Sequence, residues 1–490
     1  MRNHETNERS GAPDPPEDGG RPAVPTPTTP VVEPWSRPAL ATFVVLFGAH
    51  LLDQVGHWVV PSVLPTMAKG LNLDVERASW LSVWSLIGFT TACPALAYLG
   101  DRSNRRLLLA TGVALACLAT IGGGFAQSYE HLRMLRATFG VGAAISSVVA
   151  ATLLMDQVPR RGRSRVFALY SLAIPLGGAL GLVLGSWIAQ RFGWRAAFVA
   201  VGSPGLALAI ASLFLPNPTR GWSEGVDLDR LKAHERLGAS QEDYVDLMVN
   251  SSYTYSVLGM AFLTFAVGGL AYWLPPFLTR IKEFDQTQVT TTLGLVTFAA
   301  VTLGMLAGGW LADALASSKP RALFLVPGLA ILGSIPFVLL AIYSPNPRWV
   351  LGGIFVASAL TFAHVGPFHA IIANVTMPNM RAAAFGVAFA AVHLLGDLWS
   401  PTLMGWVADT FGRRDAMATP FGQALAAMGA LPRTREGFPP ENLTAGLLVV
   451  IPALILAGGV PLAAARHLPR EMALMIAKLK AAPKRAVTKR

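Results

Sequence analysis

The sequence predicts an all-α integral membrane protein with twelve transmembrane helices in two pseudo-symmetric six-helix bundles. Three observations predict it. Of 490 residues, 53% are hydrophobic and 14% charged, with a mean hydropathy of +0.48, far more apolar than a soluble domain. Apolar runs of the roughly 20 residues that cross a bilayer at helical rise recur six times on either side of a polar segment. The two sides also echo each other. GSWIAQRFGWR at 185–195 returns in outline as GWVADTFGRR at 405–414, and AYLGDR at 97–102 more weakly as GGWLADAL at 308–315. Paired bundles of this kind characterise transporter folds that hold substrate near the membrane midplane.

Taken in order, residues 1–37 are polar and proline-rich, and read as a disordered cytoplasmic tail without a cleavable signal peptide. An N-terminal six-helix bundle is expected over 38–216, with spans near 39–67, 78–99, 107–126, 131–154, 166–189 and 195–215. Residues 217–252 form a cytoplasmic central segment of mixed charge. The C-terminal bundle covers 253–466, with spans near 253–278, 289–314, 321–343, 349–374, 382–410 and 443–465. A basic cytoplasmic tail occupies 467–490. Its Met472, Met475, Ile476 and Leu479 suit an amphipathic helix on the inner leaflet; a solvated basic tail is the alternative.

Net charge of +11 and a pI near 10 do not signal nucleic acid, because the arginines gather in short loops beside apolar runs. Arg102, Arg105 and Arg106 follow span two, and Arg160, Arg161, Arg163 and Arg165 follow span four. By the positive-inside rule these loops, and both termini, face the cytoplasm of a plasma (bacterial inner) membrane. The loop from Gly412 to Asn442 carries arginines on the other side, its length weakening the conflict. Cys93 and Cys117 both lie inside apolar runs, so neither a disulfide nor a metal site is expected, and no cofactor is implied.

Asp53 is the central candidate. It lies in the middle of span one, with His50 and His57 on the same helical face. An ionisable group there costs about 2.5–3.5 kcal/mol on insertion scales and by default marks a proton, ion or substrate path. The alternative is a structural carboxylate satisfied by neighbouring helices. Asp397, one turn after His393, lies at similar depth in span eleven, either facing a cavity or packing helices. His364 and His369 flank Pro367 in span ten and read as hydrogen-bonded core histidines. At 1.5 Å per residue, Asp53 and Arg136 come within ~9 Å and ~8 Å of the same membrane face. Opposite charges at one depth offset each other's desolvation, so an Asp53–Arg136 ion pair is expected. Protonating Asp53 would release Arg136 to bind an anionic group bidentately.

GDRSNRR at 100–106 resembles the signature loop of the major facilitator superfamily. AYLGDRSNR at 97–105, IPLGGALG at 174–181, GGLAYWLPPFL at 268–278, ILGSIPF at 331–337 and HLLGDLWSPTLMG at 393–405 resemble its Spinster branch. The resemblance implies a major facilitator fold and a secondary transporter of lysophospholipids or sphingoid phosphates, proton-coupled and not an enzyme. It matches Asp53 to a family carboxylate in span one and Arg136 to an arginine opening span four. It departs at GVGAA, 140–144, where Ala143 stands in place of the family's glutamate. Asp101, Arg102 and Arg105 belong to the conformational motif: Asp101 would meet a helix N-terminus or a basic side chain when the cytoplasmic side is shut. Asp313 does a lesser version of this in the second half.

The expected partners are a small-molecule or lysolipid substrate, protons and membrane lipids, with the chain a monomer and no nucleic acid bound. The rival readings are a proton symporter for a small aromatic acid, multidrug efflux, and a non-transporting sensor on a transporter scaffold. The sequence holds no phosphate-binding loop for ATP-driven transport.

Overall fold

Inside a bilayer, backbone polar groups have no water to bond, so apolar runs close their hydrogen bonds within themselves as helices. A computed structural model describes residues 37–71, 73, 75–226, 241–285, 289–435 and 438–481. Among these, eleven helices are long and apolar enough to cross a membrane, and Val75–Leu99, apolar over Trp80–Leu96, makes the twelfth. Spans one to six are Arg37–Leu71, Val75–Leu99, Arg105–Gly123, Tyr129–Gln157, Arg160–Phe192 and Trp194–Leu213. Spans seven to twelve are Ser251–Arg280, Thr291–Ala316, Ala322–Tyr343, Pro347–Val375, Pro378–Thr410 and Leu443–Ala464. Side-chain caps mark several starts: Asn104, Ser128, Asn250 and Asn442 each accept a first-turn N–H.

Related packing recurs in the two halves. A Cβ on Gly140 would lie 2.0 Å from the Ser85 carbonyl, and one on Gly88 2.1 Å from that of Ala137, so spans two and four touch backbone to backbone. Gly304 and Gly308 do the same against Ala359 and Ala363, joining spans eight and ten. Small residues permit such approach in membranes, where close packing takes the place of the hydrophobic effect.

Several spans are interrupted, which their hydropathy did not reveal. Span ten divides into Pro347–Phe362 and Val365–Val375, and span eleven into Arg381–Leu395 and Ser400–Thr410. Gly396, at φ −97° and ψ −105°, ends the first piece of span eleven and leaves Asp397 in the gap. Discontinuous helices in transporters free backbone and side chains to line a cavity.

Outside the spans, β1 (Arg433–Arg435) pairs antiparallel with β2 (Phe438–Glu441). The N-terminal tail expected over 1–37 lies outside the described residues apart from Arg37, where span one begins. The C-terminal segment differs from the leaflet-bound helix expected. Leu468–Ala481 is helical, but Met475 and Leu479 are buried against Val226 and Met377 of the protein itself. Glu471 caps span seven, its carboxylate accepting from Ser251 N at 3.1 Å and Ser252 N at 2.9 Å. The apolar stripe found a protein partner before a lipid one.

Candidate functional site

Spans one, two, four and eleven enclose a recess of about 350 Å³, lined by Asp53, His57, Ser85, Ala143, His393 and Asp397 among others. It shares Gln54, Phe89, Ser147, His393 and Asp397 with a second recess of about 390 Å³. That neighbour is largely apolar and aromatic, walled by Phe167, Tyr170, Leu263, Met305, Phe362 and Phe389. Each has the size of a ligand pocket. Together they place carboxylates and histidines from both halves at one end, while the other is mostly aromatic and aliphatic with His50, His364 and His369 in its wall.

The structure separates the two charges that were expected to pair. Asp53 and Arg136 are both buried, and no ion pair joins them. Arg136 Nη1 donates to the Gly56 carbonyl at 3.0 Å, and its guanidinium lies 4.4 Å from the Phe139 ring centroid. Its Nε and Nη2 have no partner. The depth argument brought Arg136 to within one helical turn of Asp53, but side-chain direction decided the contact. Ser146 Oγ lies 2.6 Å from Asp53 Oδ2 and 3.0 Å from the Ala143 carbonyl. A hydroxyl has one proton. Ser146 donates it to Asp53 Oδ2 and shares it with the Ala143 carbonyl of its own helix as a three-centre bond. Ala143 itself faces the recess, so the family's glutamate would have added a third carboxylate there, beside Asp53 and Asp397.

Across the recess, His393 Nδ1 lies 3.1 Å and 3.2 Å from the Asp397 carboxylate oxygens, and the imidazole meets Phe89 edge-on at 5.2 Å. Asp397 reaches the cavity because span eleven is broken there. His50 stacks on Tyr170 at 4.7 Å, its Nδ1 without a partner, and lines the apolar recess. His57 lines the polar one. His364 and His369 bond the carbonyls of Thr361 and Val365 at 2.7 Å and 2.6 Å, and both also line the cavity.

At one end the two halves are latched. Asp101 accepts from Ala382 N at 3.1 Å and Ala383 N at 2.9 Å, buried first-turn donors that have no partner within their own helix. Asp313 repeats this geometry at span five, accepting from Arg165 N at 2.8 Å. Arg102 lies over the Tyr98 ring at 3.6 Å. Between the two aspartates runs a buried network that the sequence reading missed. Asp156 pairs with Arg105 of its own half and Arg381 of the other; Glu224, from the central segment, pairs with Arg163 and Arg381. Arg163 also donates to Asn374 Oδ1 at 2.7 Å. Gly221 and Gly225, at φ +85° and +75°, make the tight turn that inserts Glu224. Burial alone would raise the Glu224 pKa, but Arg163 and Arg381 outweigh it and hold the carboxyl below its usual range. Asp156 carried a readable signal, since it is an acid at the end of an apolar run. Glu224 carried none beyond its place in a polar segment.

Two six-helix halves, latched at one end and enclosing a cavity of mixed polarity, define a multi-pass membrane transporter. The family model of the Major Facilitator Superfamily matches residues 46–401. Protein spinster homolog 1 of Homo sapiens is 31% identical over 391 residues, 75% of this chain and 73% of that protein. The sphingosine-1-phosphate transporter SPNS2 of Xenopus tropicalis is 28% identical over 394 residues, covering 76% of this chain and 75% of its own length. A crystal structure of a bacterial homolog to the human lysosomal transporter Spinster, inward-facing and unoccupied, superposes with a TM-score of 0.60. It is 20% identical and covers 89% of this chain and 99% of its own. The chain belongs to the Major Facilitator Superfamily and, within it, to the spinster proteins.

Proposed function

We propose that this chain is a proton-coupled secondary transporter that moves an amphipathic organic molecule by alternating access. The observation that carries the reading is the cavity: Asp53, His57, His393 and Asp397 at one end, aromatic and aliphatic walls at the other. A molecule with a polar head and a hydrocarbon body satisfies both. Lysophospholipid-like substrates fit this description, and a relative named for sphingosine-1-phosphate transport supports the class.

In this reading Asp53 carries the coupling proton. With Asp53 protonated and bonded to Ser146, Arg136 keeps two buried donors unpaired behind the recess wall at Phe139, and an anionic group reaches them as the helices move in the cycle. Loss of the proton returns a carboxylate close to Arg136, which competes with the substrate for it. Proton and substrate then bind together and leave together. Asp397, with His393, supplies the second half's titratable pair where Ala143 replaces the family's glutamate. The latched end is the cytoplasmic one in this proposal, because it gathers the arginine-rich loops. Both termini are then inside, in the plasma (bacterial inner) membrane, and the chain works as a monomer.

The test is flux into proteoliposomes after a pH jump, comparing wild type with Asp53→Asn and offering a labelled lysophospholipid and an aromatic acid separately. Proton-driven lysophospholipid flux that Asp53→Asn abolishes supports the proposal. Flux of the aromatic acid alone transfers it to small organic anions. Lysophospholipid flux that ignores both the pH jump and the substitution refutes the coupling.

A further inference from the structure

A groove separate from the central cavity lies between the start of span five and the face of span eight. It encloses about 560 Å³ and is walled by Arg165, Val166 and Leu169 on one side and Leu303, Leu306 and Trp310 on the other. Leu303, Leu306 and Trp310 are exposed on a span whose length and hydropathy suit a bilayer, so their environment is acyl chain rather than water. At the end of the groove Arg165 is partly exposed. Its guanidinium lies 5.7 Å from the Trp310 ring centroid, and its Nε, 3.5 Å from Asp313 Oδ2, makes no hydrogen bond. The aspartate is already engaged by the Arg165 backbone N–H.

We propose that this groove is a binding site for an anionic phospholipid of the surrounding membrane, with its phosphate on Arg165 and an acyl chain along Val166, Leu169, Leu303 and Leu306. Three things on the molecule favour that occupant. Guanidinium geometry matches a phosphate bidentately. An arginine beside a tryptophan at a span end is the arrangement found at the headgroup level of membranes. The remaining walls are wholly apolar, which suits a chain and excludes a soluble anion.

The site also has a consequence for the transport cycle. Its two walls belong to different halves and are held opposed by the Asp313–Arg165 contact and by Gly309, where a Cβ would lie 2.7 Å from that of Ala168. A lipid that touches both walls binds best while they are opposed, so by linkage it favours the latched state.

The test uses the full chain in nanodiscs of phosphatidylcholine with or without phosphatidylglycerol. Lipid retained after detergent exchange is read by native mass spectrometry, and the latched state by spin labels on Arg161→Cys and Lys319→Cys. Wild type is expected to retain phosphatidylglycerol several-fold over phosphatidylcholine and to become more latched when it is present. Arg165→Gln removes the preference, Arg165→Lys keeps part of it, and Ala307→Phe, which adds bulk to the open groove, lowers retention of both lipids. Equal retention of the two lipids by wild type overturns the proposal. So does a preference that survives Arg165→Gln, or displacement of the bound lipid by a lysophospholipid that is then transported, which would make the groove a substrate entrance.

Discussion

Replacing Glu224 with glutamine keeps the shape of the latch and removes one of the two carboxylates in its buried arginine network. In the latched state Arg105, Arg163 and Arg381 are almost fully buried, and among the described residues the carboxylates that pair with them are Asp156 and Glu224, the latter also 4.0 Å from Arg160. After the substitution three buried cations share one anion. Removing one partner of a buried ion pair costs about 3–5 kcal/mol, because the other charge stays desolvated. Water hydrates the arginines once the halves part, so most of that cost falls on the latched state alone. A net penalty of ~3 kcal/mol shifts the latched-to-open equilibrium by roughly a hundredfold. Spin labels on Arg161→Cys and Lys319→Cys report it as a second, longer distance. Both sites are exposed, and the native Cys93 and Cys117 are buried and should stay unlabelled. The control is Glu242→Gln, at an exposed position. An unchanged distance distribution in folded Glu224→Gln would refute the idea that this network holds the halves together.

Other perturbations follow from the same geometry. Asp101→Asn weakens a carboxylate that satisfies two N–H groups at the start of span eleven; a loss of ~1 kcal/mol raises the open fraction several-fold in the same distance measurement. Glu471→Ala uncaps span seven and should destabilise the protein by ~1 kcal/mol, read as a lower melting temperature with the transport rate per folded molecule retained. Gly140→Ala puts a methyl 2.0 Å from a backbone oxygen that cannot move aside; monodisperse yield should collapse, and normal yield would contradict the packing of spans two and four. Glu224 has a lowered pKa. Its stabilisation is therefore complete above the ordinary carboxylate value of 4.5 and is lost only as pH falls through the lowered one. The change in distances caused by Glu224→Gln should therefore be the same size at about pH 7 and about pH 5.

The helical framework was readable because membrane spans carry their signal locally, in hydropathy and length. Each expected span falls within a few residues of an observed one, span four for instance at Tyr129–Gln157 against 131–154. The breaks at His364 and Gly396 left a signal in Gly366 and Pro367 and in Gly396, Asp397 and Pro401, but glycine and proline are also frequent in unbroken membrane helices, so hydropathy and length alone did not separate the two cases. The position of Asp53 followed from the cost of burying it. Its partner did not, because depth along two helices leaves their rotation open, and rotation gave Asp53 to Ser146 and Arg136 to Gly56. The Asp156–Glu224 network joins segments distant in sequence, so only the fold assembles it. The C-terminal stripe of Met475 and Leu479 was legible as apolar, while its burial against Val226 was a tertiary fact.

The central claim is that the latch closes one end of a cavity which otherwise opens to either side. It is tested most directly by cysteine access. Ser147 lines both recesses, and Ser147→Cys can be offered a membrane-impermeant thiol reagent in vesicles of each orientation. The account predicts slow labelling from the latched side in an otherwise native chain, and labelling from that side accelerated roughly a hundredfold by Glu224→Gln, in keeping with the ~3 kcal/mol shift. Equal labelling from the latched side with and without Glu224 would contradict it.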